Sequence, residues 1–268
     1  MLADLMTGIS RKIARHHRSK PFATRNDAPL VSFTFDDVPD TAYTNGAAVL
    51  EQCGLRGTFY IAAGTCGVSD QQWRVIERDQ VRALHQRGHE IGCHTFSHIG
   101  VDRLDARALD QECRRNRALL EELCPGIVVT NFCYPFGRAP FARKLQLAKS
   151  FVSCRGVYEG VNAGAIDLAM LRVIELYDRT LTADKLRRVL DETRKRQGWL
   201  IFYSHDVADR PSWIGCSPEL LRTVIKAVQA AQLRCLPVRD ALTAIGCPAS
   251  RRGLAPDRPA TQTSPRAI

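Results

Sequence analysis

The segment LVSFTFDD, residues 30–37, decides the fold, because an uninterrupted apolar run ends there in two adjacent carboxylates. Short runs of this kind are typical of strands buried on both faces, as in a parallel sheet. Asp36 and Asp37 therefore stand at the carboxyl end of a predicted strand. Successive strand residues point to opposite faces, so both carboxylates can share one site only if the chain leaves the strand. The sequence VPD at residues 38–40 supplies a turn signal at this point.

Strand-like and helical segments alternate along the rest of the chain. The predicted strands are Leu30–Phe35, Gly57–Ile61, His89–His94, Val128–Cys133, Phe151–Cys154, Leu171–Leu176, Trp199–Ser204 and Arg234–Val238. The predicted helices are Thr44–Cys53, Asp70–Arg87 with Ser69 as its cap, the segment from Asp105 to about Cys124, Pro140–Ser150, Thr182–Gln197, and Pro218–Ala231 with Ser217 as its cap. This alternation favours parallel strands that are joined by right-handed helical crossovers.

The placement of polar residues favours a barrel over an open sheet. The residues that follow predicted strand ends include Asp36, His94, Tyr134 and His205. Barrel enzymes build their sites from the carboxyl ends of several strands. No glycine-rich phosphate loop follows the first strand, which disfavours a nucleotide-binding sheet. We therefore predict an α/β fold, a distorted or incomplete (β/α) barrel of seven to eight parallel strands over residues 29–246.

The cysteines and the apolar segments bear on the compartment. Ten cysteines are spread from Cys53 to Cys247 without a CxxC pair. In a chain of 268 residues this spacing predicts reduced, mostly buried thiols rather than a disulfide framework. No apolar stretch approaches the roughly 20 residues of a membrane-spanning helix, and the N-terminus lacks the apolar core of a secretory signal. These features predict a cytoplasmic protein.

The net charge of +10 is concentrated at the two ends of the chain. Residues 1–28, a predicted basic extension, carry six Lys or Arg against two Asp, whereas residues 247–268 are predicted to be a disordered tail. The extension has apolar residues at near-helical spacing, namely Leu2, Leu5, Met6, Ile9 and Ile13. Such a helix either makes a peripheral contact with an anionic membrane or packs on the domain. Nucleic-acid binding is not predicted, because the basic residues are not interleaved with aromatic ones.

A second motif, HTFSH at residues 94–98, places two imidazoles four residues apart. If the segment turns helically, His94 and His98 can reach one ion, and one carboxylate of the Asp pair completes a donor set for a divalent metal. Zinc is the expected ion, and cobalt and manganese are compatible with the same donors. The remaining carboxylate is a candidate general base. Taken singly, each motif also has a structural interpretation, as a loop cap or as buried histidines.

Four motifs occur together in the order of a known family: TFDD at residues 34–37, HTFSH at 94–98, YPFG at 134–137, and an apolar strand that ends in His205. In this order the chain resembles the polysaccharide deacetylases, also called carbohydrate esterase family 4 or the NodB homology domain. The resemblance extends from about Pro29 to Ile245. It implies a distorted (β/α) barrel, in agreement with the count of predicted strands.

The resemblance also implies a role for each motif residue. Asp36 would be the catalytic base, and His205 would be the general acid that protonates the leaving amine. The metal ligands would be Asp37, His94 and His98. A cleft loop that offers a backbone N–H to the oxyanion would comprise Tyr134, Pro135, Phe136 and Gly137.

The third motif departs from the family pattern. The family's version often begins with an Arg that pairs with the base, and Cys133 stands at that position here. A thiol cannot hold a carboxylate charge in place as a guanidinium does. We predict that Arg172, at the start of a late strand, orients Asp36 instead.

These features predict a metal-dependent hydrolase that removes acetyl groups, by N-deacetylation, from an amino-sugar-containing oligo- or polysaccharide or a glycan precursor. A carbohydrate is therefore the expected partner, and Trp213 is a candidate for stacking on a sugar ring. Three alternatives stay open: an O-deacetylase of the same kind of substrate, a hydrolase of other non-peptide C–N bonds on the same barrel, and a catalytically inactive carbohydrate-binding relative. The presence of both motif carboxylates and all three motif histidines argues against an inactive relative.

Overall fold

The apolar segment before Asp37 forms a fully buried strand in the computed structural model, which describes residue 10 and residues 12–248. The strands are β1 (Pro21–Ala23), β2 (Leu30–Asp36), β3 (Thr58–Ile61), β4 (Glu90–Cys93), β5 (Asn131–Cys133), β6 (Ser153–Glu159), β7 (Ala165–Asp167), β8 (Leu171–Glu175), β9 (Trp199–Ser204) and β10 (Arg234–Cys235). Seven parallel strands run in the order β2-β3-β4-β5-β6-β8-β9, and β9 pairs back onto β2. This closure confirms the predicted barrel. The short β10 pairs in parallel with the start of β2.

Helices cover the outside of this barrel. They are a π-helical segment Ala42–Ala47 that continues into α1 (Ala48–Gln52), α2 (Arg78–Gln86), α3 (Ala106–Leu123), α4 (Phe141–Ser150), α5 (Ala183–Lys195), α6 (Pro218–Ala230) and α7 (Val238–Ala244). Three of them begin at a side chain that accepts a backbone N–H of the first turn: Asp105, Thr182 and Ser217. The predicted cap at Ser217 is therefore confirmed.

The predicted helix Asp70–Arg87 is wrong in its first half. Only Arg78–Gln86 is helical, and its capping box joins Glu77 to Gln80 rather than starting at Ser69. Asp70 instead accepts the N–H groups of the residues two and three positions later, which closes a local turn that competes with a helix. The segment 68–75 thereby becomes a loop whose residues line the mouth of the barrel.

The alternation of β2 determines which residues face the helices and which face the barrel interior. Val31, Phe33 and Phe35 belong to the apolar core beneath the helices, where each contributes roughly 2 kcal/mol of burial. The intervening residues are polar, and Thr34 donates from its hydroxyl to the Phe202 carbonyl across the closing strand pair. Asp36 continues this polar series and so lies at the mouth of the barrel.

The described part of the N-terminal extension packs on the barrel. Residues 12–16 are helical, Ala14 is buried, and β1 pairs antiparallel with β7. Ile13, the one member of the predicted apolar series among the described residues, is 47% exposed, and a peripheral membrane contact stays a prediction. The predictions for Leu2, Leu5, Met6 and Ile9, and for the tail after residue 248, lie outside the described residues.

The structure also bears on the predicted thiols and on membrane-spanning helices. All ten cysteines are free thiols, as predicted, and most are buried. Among the helices of the described residues, none combines the length and the apolar character that a bilayer crossing requires.

Candidate active site

The predicted motif residues meet in one cleft at the carboxyl ends of the barrel strands. Its volume is about 600 Å³. The motif residues that line it are Asp36, Asp37, His94, His98, Tyr134, Phe136, Gly137 and His205. These residues follow four separate strands, so the parallel barrel is what brings them together.

The chain leaves β2 abruptly, as the carboxylate pair requires. Asp37 and Val38 have φ angles of +57° and +49°, in the left-handed region that a β-branched residue rarely adopts. Such a conformation costs on the order of 1–3 kcal/mol and persists only where the surroundings hold it. Here Val38 is fully buried, and its carbonyl accepts the Ile76 N–H at 2.9 Å. The turn directs Asp37 into the same cleft as Asp36.

Two imidazoles converge on the Asp37 carboxylate. Asp37 Oδ1 lies 3.1 Å from His94 Nε2 and 2.8 Å from His98 Nε2. His94 Nδ1 lies 2.9 Å from the carbonyl oxygen of Cys133, and because a carbonyl only accepts, Nδ1 carries the proton. The other ring nitrogen of His94, Nε2, faces Asp37.

This donor set fits a divalent metal ion. The three ligand atoms lie within 4.8 Å of one another, and Asp37 Oδ1 is buried without a well-oriented hydrogen-bond donor. A buried carboxylate oxygen of this kind needs a positive partner. Two imidazoles and one carboxylate are a ligand set of catalytic zinc sites, and the backbone carbonyl behind His94 is the outer contact that fixes its ring.

Asp36 is held by an arginine that the motif analysis did not identify. Arg155, on β6, is fully buried, and its Nη2 donates to Asp36 Oδ1. The guanidinium lies between two aromatic rings, 5.1 Å from the centroid of Tyr60 and 5.0 Å from that of Tyr203. Burial alone raises the pKa of Asp36. The positive charge of Arg155, and then those of His94 and His205, outweigh this effect, so the pKa lies below its usual value. Asp36 is therefore an ionised carboxylate.

The prediction that Arg172 orients Asp36 is wrong. Arg172 lies on the outward face of β8, is exposed, and donates from Nη1 to the Glu159 carbonyl at 3.0 Å. Strand alternation explains the error, because the neighbouring residues Leu171 and Val173 are the buried ones. A signal for Arg155 was available: it directly follows the predicted strand Phe151–Cys154, and a charge in a strand buried on both faces requires a partner.

His205 directly follows β9 and lines the same cleft as His94 and His98. Its Nδ1 lies 3.1 Å from the Ile214 carbonyl, which places a proton on Nδ1 and directs Nε2 toward the cleft. His205 Nε2 is 4.0 Å from Asp37 Oδ2, and the ring stacks at 6.0 Å on Trp73 from the loop 68–75. The ring thus has one fixed orientation beside the donor set.

The YPFG loop forms one wall of the cleft. Tyr134 is buried and donates its hydroxyl to the Ala169 carbonyl at 3.0 Å, whereas Phe136 is 59% exposed and contacts the His98 ring at 4.6 Å. The Tyr134 N–H donates to the Arg155 carbonyl and the Gly137 N–H to the Tyr134 carbonyl. Because proline has no N–H, Phe136 supplies the candidate oxyanion donor of this loop.

Aromatic rings lie in the cleft and near it. Trp213 is 71% exposed, and the guanidinium of Arg179 lies 4.1 Å from its ring centroid. Tyr177, Trp73 and Arg179 itself line the cleft. Flat apolar surfaces beside polar groups suit the faces and hydroxyls of sugar rings.

Comparisons with known proteins agree with this geometry. Residues 23–151 match the family described as polysaccharide deacetylase. No curated protein sequence is significantly similar to the chain.

Several solved structures share the fold. A chitin deacetylase from the fungal pathogen Colletotrichum lindemuthianum is 18% identical with a TM-score of 0.59, covering 87% of this chain and 94% of its own. The Bc1960 peptidoglycan N-acetylglucosamine deacetylase, in complex with an N-oxidanyl-benzamide, is 18% identical with a TM-score of 0.59, covering 86% and 94%. A family 4 acetyl xylan esterase from Clostridium thermocellum, in complex with a cobalt ion, is 22% identical with a TM-score of 0.55, covering 82% and 93%. At these identities the similarity establishes a common fold.

Proposed function

The chain belongs to the polysaccharide deacetylase family, and we propose that it is a metal-dependent N-deacetylase of amino-sugar-containing oligo- or polysaccharides or glycan precursors. Its family makes it a carbohydrate deacetylase, a hydrolase of carbon–nitrogen bonds other than peptide bonds. The observation that carries the finer proposal is the convergence of Asp37, His94 and His98 beside a second, ionised carboxylate. One carboxylate is thereby available as a metal ligand and the other as a proton acceptor.

The metal ligands are Asp37 Oδ1, His94 Nε2 and His98 Nε2, and zinc is the proposed ion, with cobalt or manganese as alternatives. When bound, a divalent ion lowers the pKa of a water molecule to about 7 and polarises the acetyl carbonyl. The acetyl xylan esterase with the same fold is in complex with a cobalt ion, which supports the proposal of a divalent ion for this chain.

The remaining residues move protons. Asp36, kept ionised by Arg155, accepts a proton from the attacking water as the oxygen bonds to the acetyl carbon. The Phe136 N–H donates to the developing oxyanion. His205 then protonates the nitrogen from Nε2 as the C–N bond breaks, so that acetate and a free amine leave.

An N-acetyl group is the favoured substrate because a candidate general acid, His205, lines the cleft. An amine leaves poorly unless it is protonated, and His205 lines the same cleft as Asp36, with its Nε2 4.0 Å from Asp37 Oδ2. The chitin and peptidoglycan deacetylases with this fold support an N-acetylated sugar, whereas the acetyl xylan esterase supports an O-acetylated one as second candidate. Stacking of a sugar on Trp213 and a cytoplasmic location remain predictions.

The decisive experiment measures acetate release together with metal content. Purified protein is incubated with N-acetylglucosamine oligomers, lipid-linked N-acetylated sugars and acetylated xylan, before and after chelation. We expect release from the N-acetylated substrates, loss of release on chelation, and recovery on addition of zinc. Release from acetylated xylan alone would reverse the choice of bond, and full activity in chelator would contradict the metal proposal. Metal-independent binding of oligomers without turnover would favour the inactive relative.

A further inference from the structure

A second cavity of about 620 Å³ lies on the outer wall of the barrel beside β8, and its lining is strongly basic. The N-terminal segment, the loop between β6 and β7, and α5 enclose it. Its lining includes two histidines, two carboxylates and four arginines, the last being Arg15, Arg18, Arg172 and Arg196. No described residue lines both this cavity and the catalytic cleft.

Both carboxylates of the cavity already have cationic partners. Asp167 Oδ2 lies 2.6 Å from Nζ of the fully buried Lys144, and Glu192 Oε1 accepts from Arg196 Nη1 at 2.6 Å. Within residues 12–248, no carboxylate forms an ion pair with Arg15, Arg18 or Arg172. Three guanidinium groups therefore line one polar cavity without an ion-pair partner among the described residues.

The structure holds Arg172 in place. Its Nη1 donates to the Glu159 carbonyl, and its backbone N–H donates to Asn162 Oδ1 at 2.9 Å. Its stem crosses Gly160, where an added Cβ would approach Arg172 Cδ to 3.0 Å. A fixed guanidinium loses less conformational freedom on binding an anion than a free surface side chain does.

The segment that carries Arg15 and Arg18 is fixed by the same buried ion pair. Lys144 Nζ donates to the carbonyls of Ala14 and His17, at 2.5 and 2.7 Å. The Asp167 carboxylate accepts the N–H groups of residues 19 and 20. Arg15 is further positioned by stacking at 4.8 Å over the Tyr158 ring.

We propose that this cavity binds a phosphate-bearing group, either a phosphomonoester or a pyrophosphate. Three unpaired guanidinium groups exceed the single charge of a carboxylate, whereas a phosphomonoester carries about −1.5 to −2 at neutral pH. The planar fork of each guanidinium also matches phosphate oxygens in bidentate fashion. The cavity is distinct from the deacetylase cleft, so the proposal does not depend on the proposed function. The group belongs to either an anionic lipid or a soluble phosphorylated compound.

The first test is a calorimetric titration with inorganic pyrophosphate, repeated at several salt concentrations. We expect binding by the full chain that weakens with salt, and a rise in Kd of about tenfold for Arg172→Gln and for Arg15→Gln. Arg187→Gln is the matched control, because it removes one exposed positive charge from α5 outside the cavity. Equal weakening in all three variants, or no binding at millimolar pyrophosphate, would overturn the site. Thermal melts of each variant exclude unfolding as the cause of a loss.

The second test separates the two sources of phosphate. Vesicles of phosphatidylcholine with and without phosphatidic acid, whose headgroup is a phosphomonoester, are sedimented with the full chain, with Arg172→Gln and with Arg187→Gln. Retention on the anionic vesicles alone, lost in Arg172→Gln and kept in Arg187→Gln, identifies a lipid headgroup. Pyrophosphate binding without vesicle retention identifies a soluble ligand. Vesicle retention that both variants keep, without pyrophosphate binding, would reject the cavity.

Discussion

Cys133 and Arg155 are paired residues on the adjacent strands β5 and β6, and both side chains lie against Asp36. The thiol Sγ is 3.5 Å from Asp36 Oδ2, and Arg155 Nη2 is 2.7 Å from that sulfur while it binds Oδ1. The positive partner of the carboxylate thus comes from β6, and the small thiol on β5 leaves room for it. Arg155 thus supplies the guanidinium that the sequence lacks at position 133.

Replacing Arg155 should impair turnover without removing the metal. Arg155→Lys keeps a charge but loses the fork, so we expect the rate to fall on the order of 10² while metal content stays unchanged. Arg155→Ala leaves a buried carboxylate unpaired and should lower the free energy of unfolding by about 3–5 kcal/mol. The double variant Cys133→Arg/Arg155→Cys should recover part of the lost rate. A double variant no better than Arg155→Cys alone would contradict the equivalence of the two strand positions.

The two adjacent carboxylates should separate into a ligand and a base. Asp36→Asn should abolish acetate release yet retain stoichiometric zinc, because in the proposed roles it removes the proton acceptor and none of the three ligands. Asp37→Asn and His94→Ala should each lose the ion by elemental analysis. If Asp36→Asn loses the metal and Asp37→Asn retains it, the roles are reversed.

His205 should control the alkaline side of the activity profile. Asp36 acts as the base only when it is ionised, and the rate falls once the group that protonates the leaving nitrogen has lost its proton. Since the pKa of Asp36 is held below its usual value, the carboxylate is ionised throughout the neutral range. His205→Gln should lower the rate and remove the alkaline decline in kcat measured against pH. An unchanged profile would exclude His205 from the proton transfer.

Arg172→Ala should leave deacetylation unaffected. The side chain is exposed on the outer face of β8 and contacts the Glu159 carbonyl rather than the cleft. We expect the same kcat and KM for acetate release as in the unmodified protein, and the same metal content. A large fall in kcat with an intact fold would restore Arg172 to the catalytic machinery.

Stability should decline in mild acid through His89. Its ring is buried, Nδ1 accepts the Gly57 N–H at 3.0 Å, and Nε2 lies 2.8 Å from Glu51. Burial lowers the pKa of His89 by more than Glu51 raises it, so the folded chain binds this proton less readily than the unfolded chain does. The contribution is complete above about pH 6.5 and is lost as the pH falls toward the folded-state value.

Thermal melts between about pH 8 and pH 5 test this linkage. The melting temperature of the unmodified protein should fall across that range, and His89→Gln should show a shallower decline. His85→Gln, on the same side of the barrel in α2, serves as the control and should keep the original slope. Identical slopes for all three proteins would contradict the role of His89.

Local patterns were sufficient for much of the architecture. The strand Trp199–Ser204 and the cap at Ser217 were predicted as the structure has them, because a continuous apolar run and a capping side chain act over a few neighbouring residues. Motif order likewise identified the two carboxylates and three histidines that meet in the cleft. Each of them follows a strand, and parallel strands bring their carboxyl ends to one side.

Two features were decided only by the tertiary structure. They depend on which side of a strand a residue faces and on contacts between residues that are distant in sequence. Arg155 rather than Arg172 holds Asp36, because strand register and alternation turn one guanidinium into the barrel and the other out of it. The loop 68–75 is not helical, because Val75 pairs with Pro39 from a segment far away in sequence. The sequence by itself thus determined most of the strands and helices and the types of reactive residue. The closed barrel determined which arginine pairs with which carboxylate, because such ion pairs form only between strands that the fold has brought together.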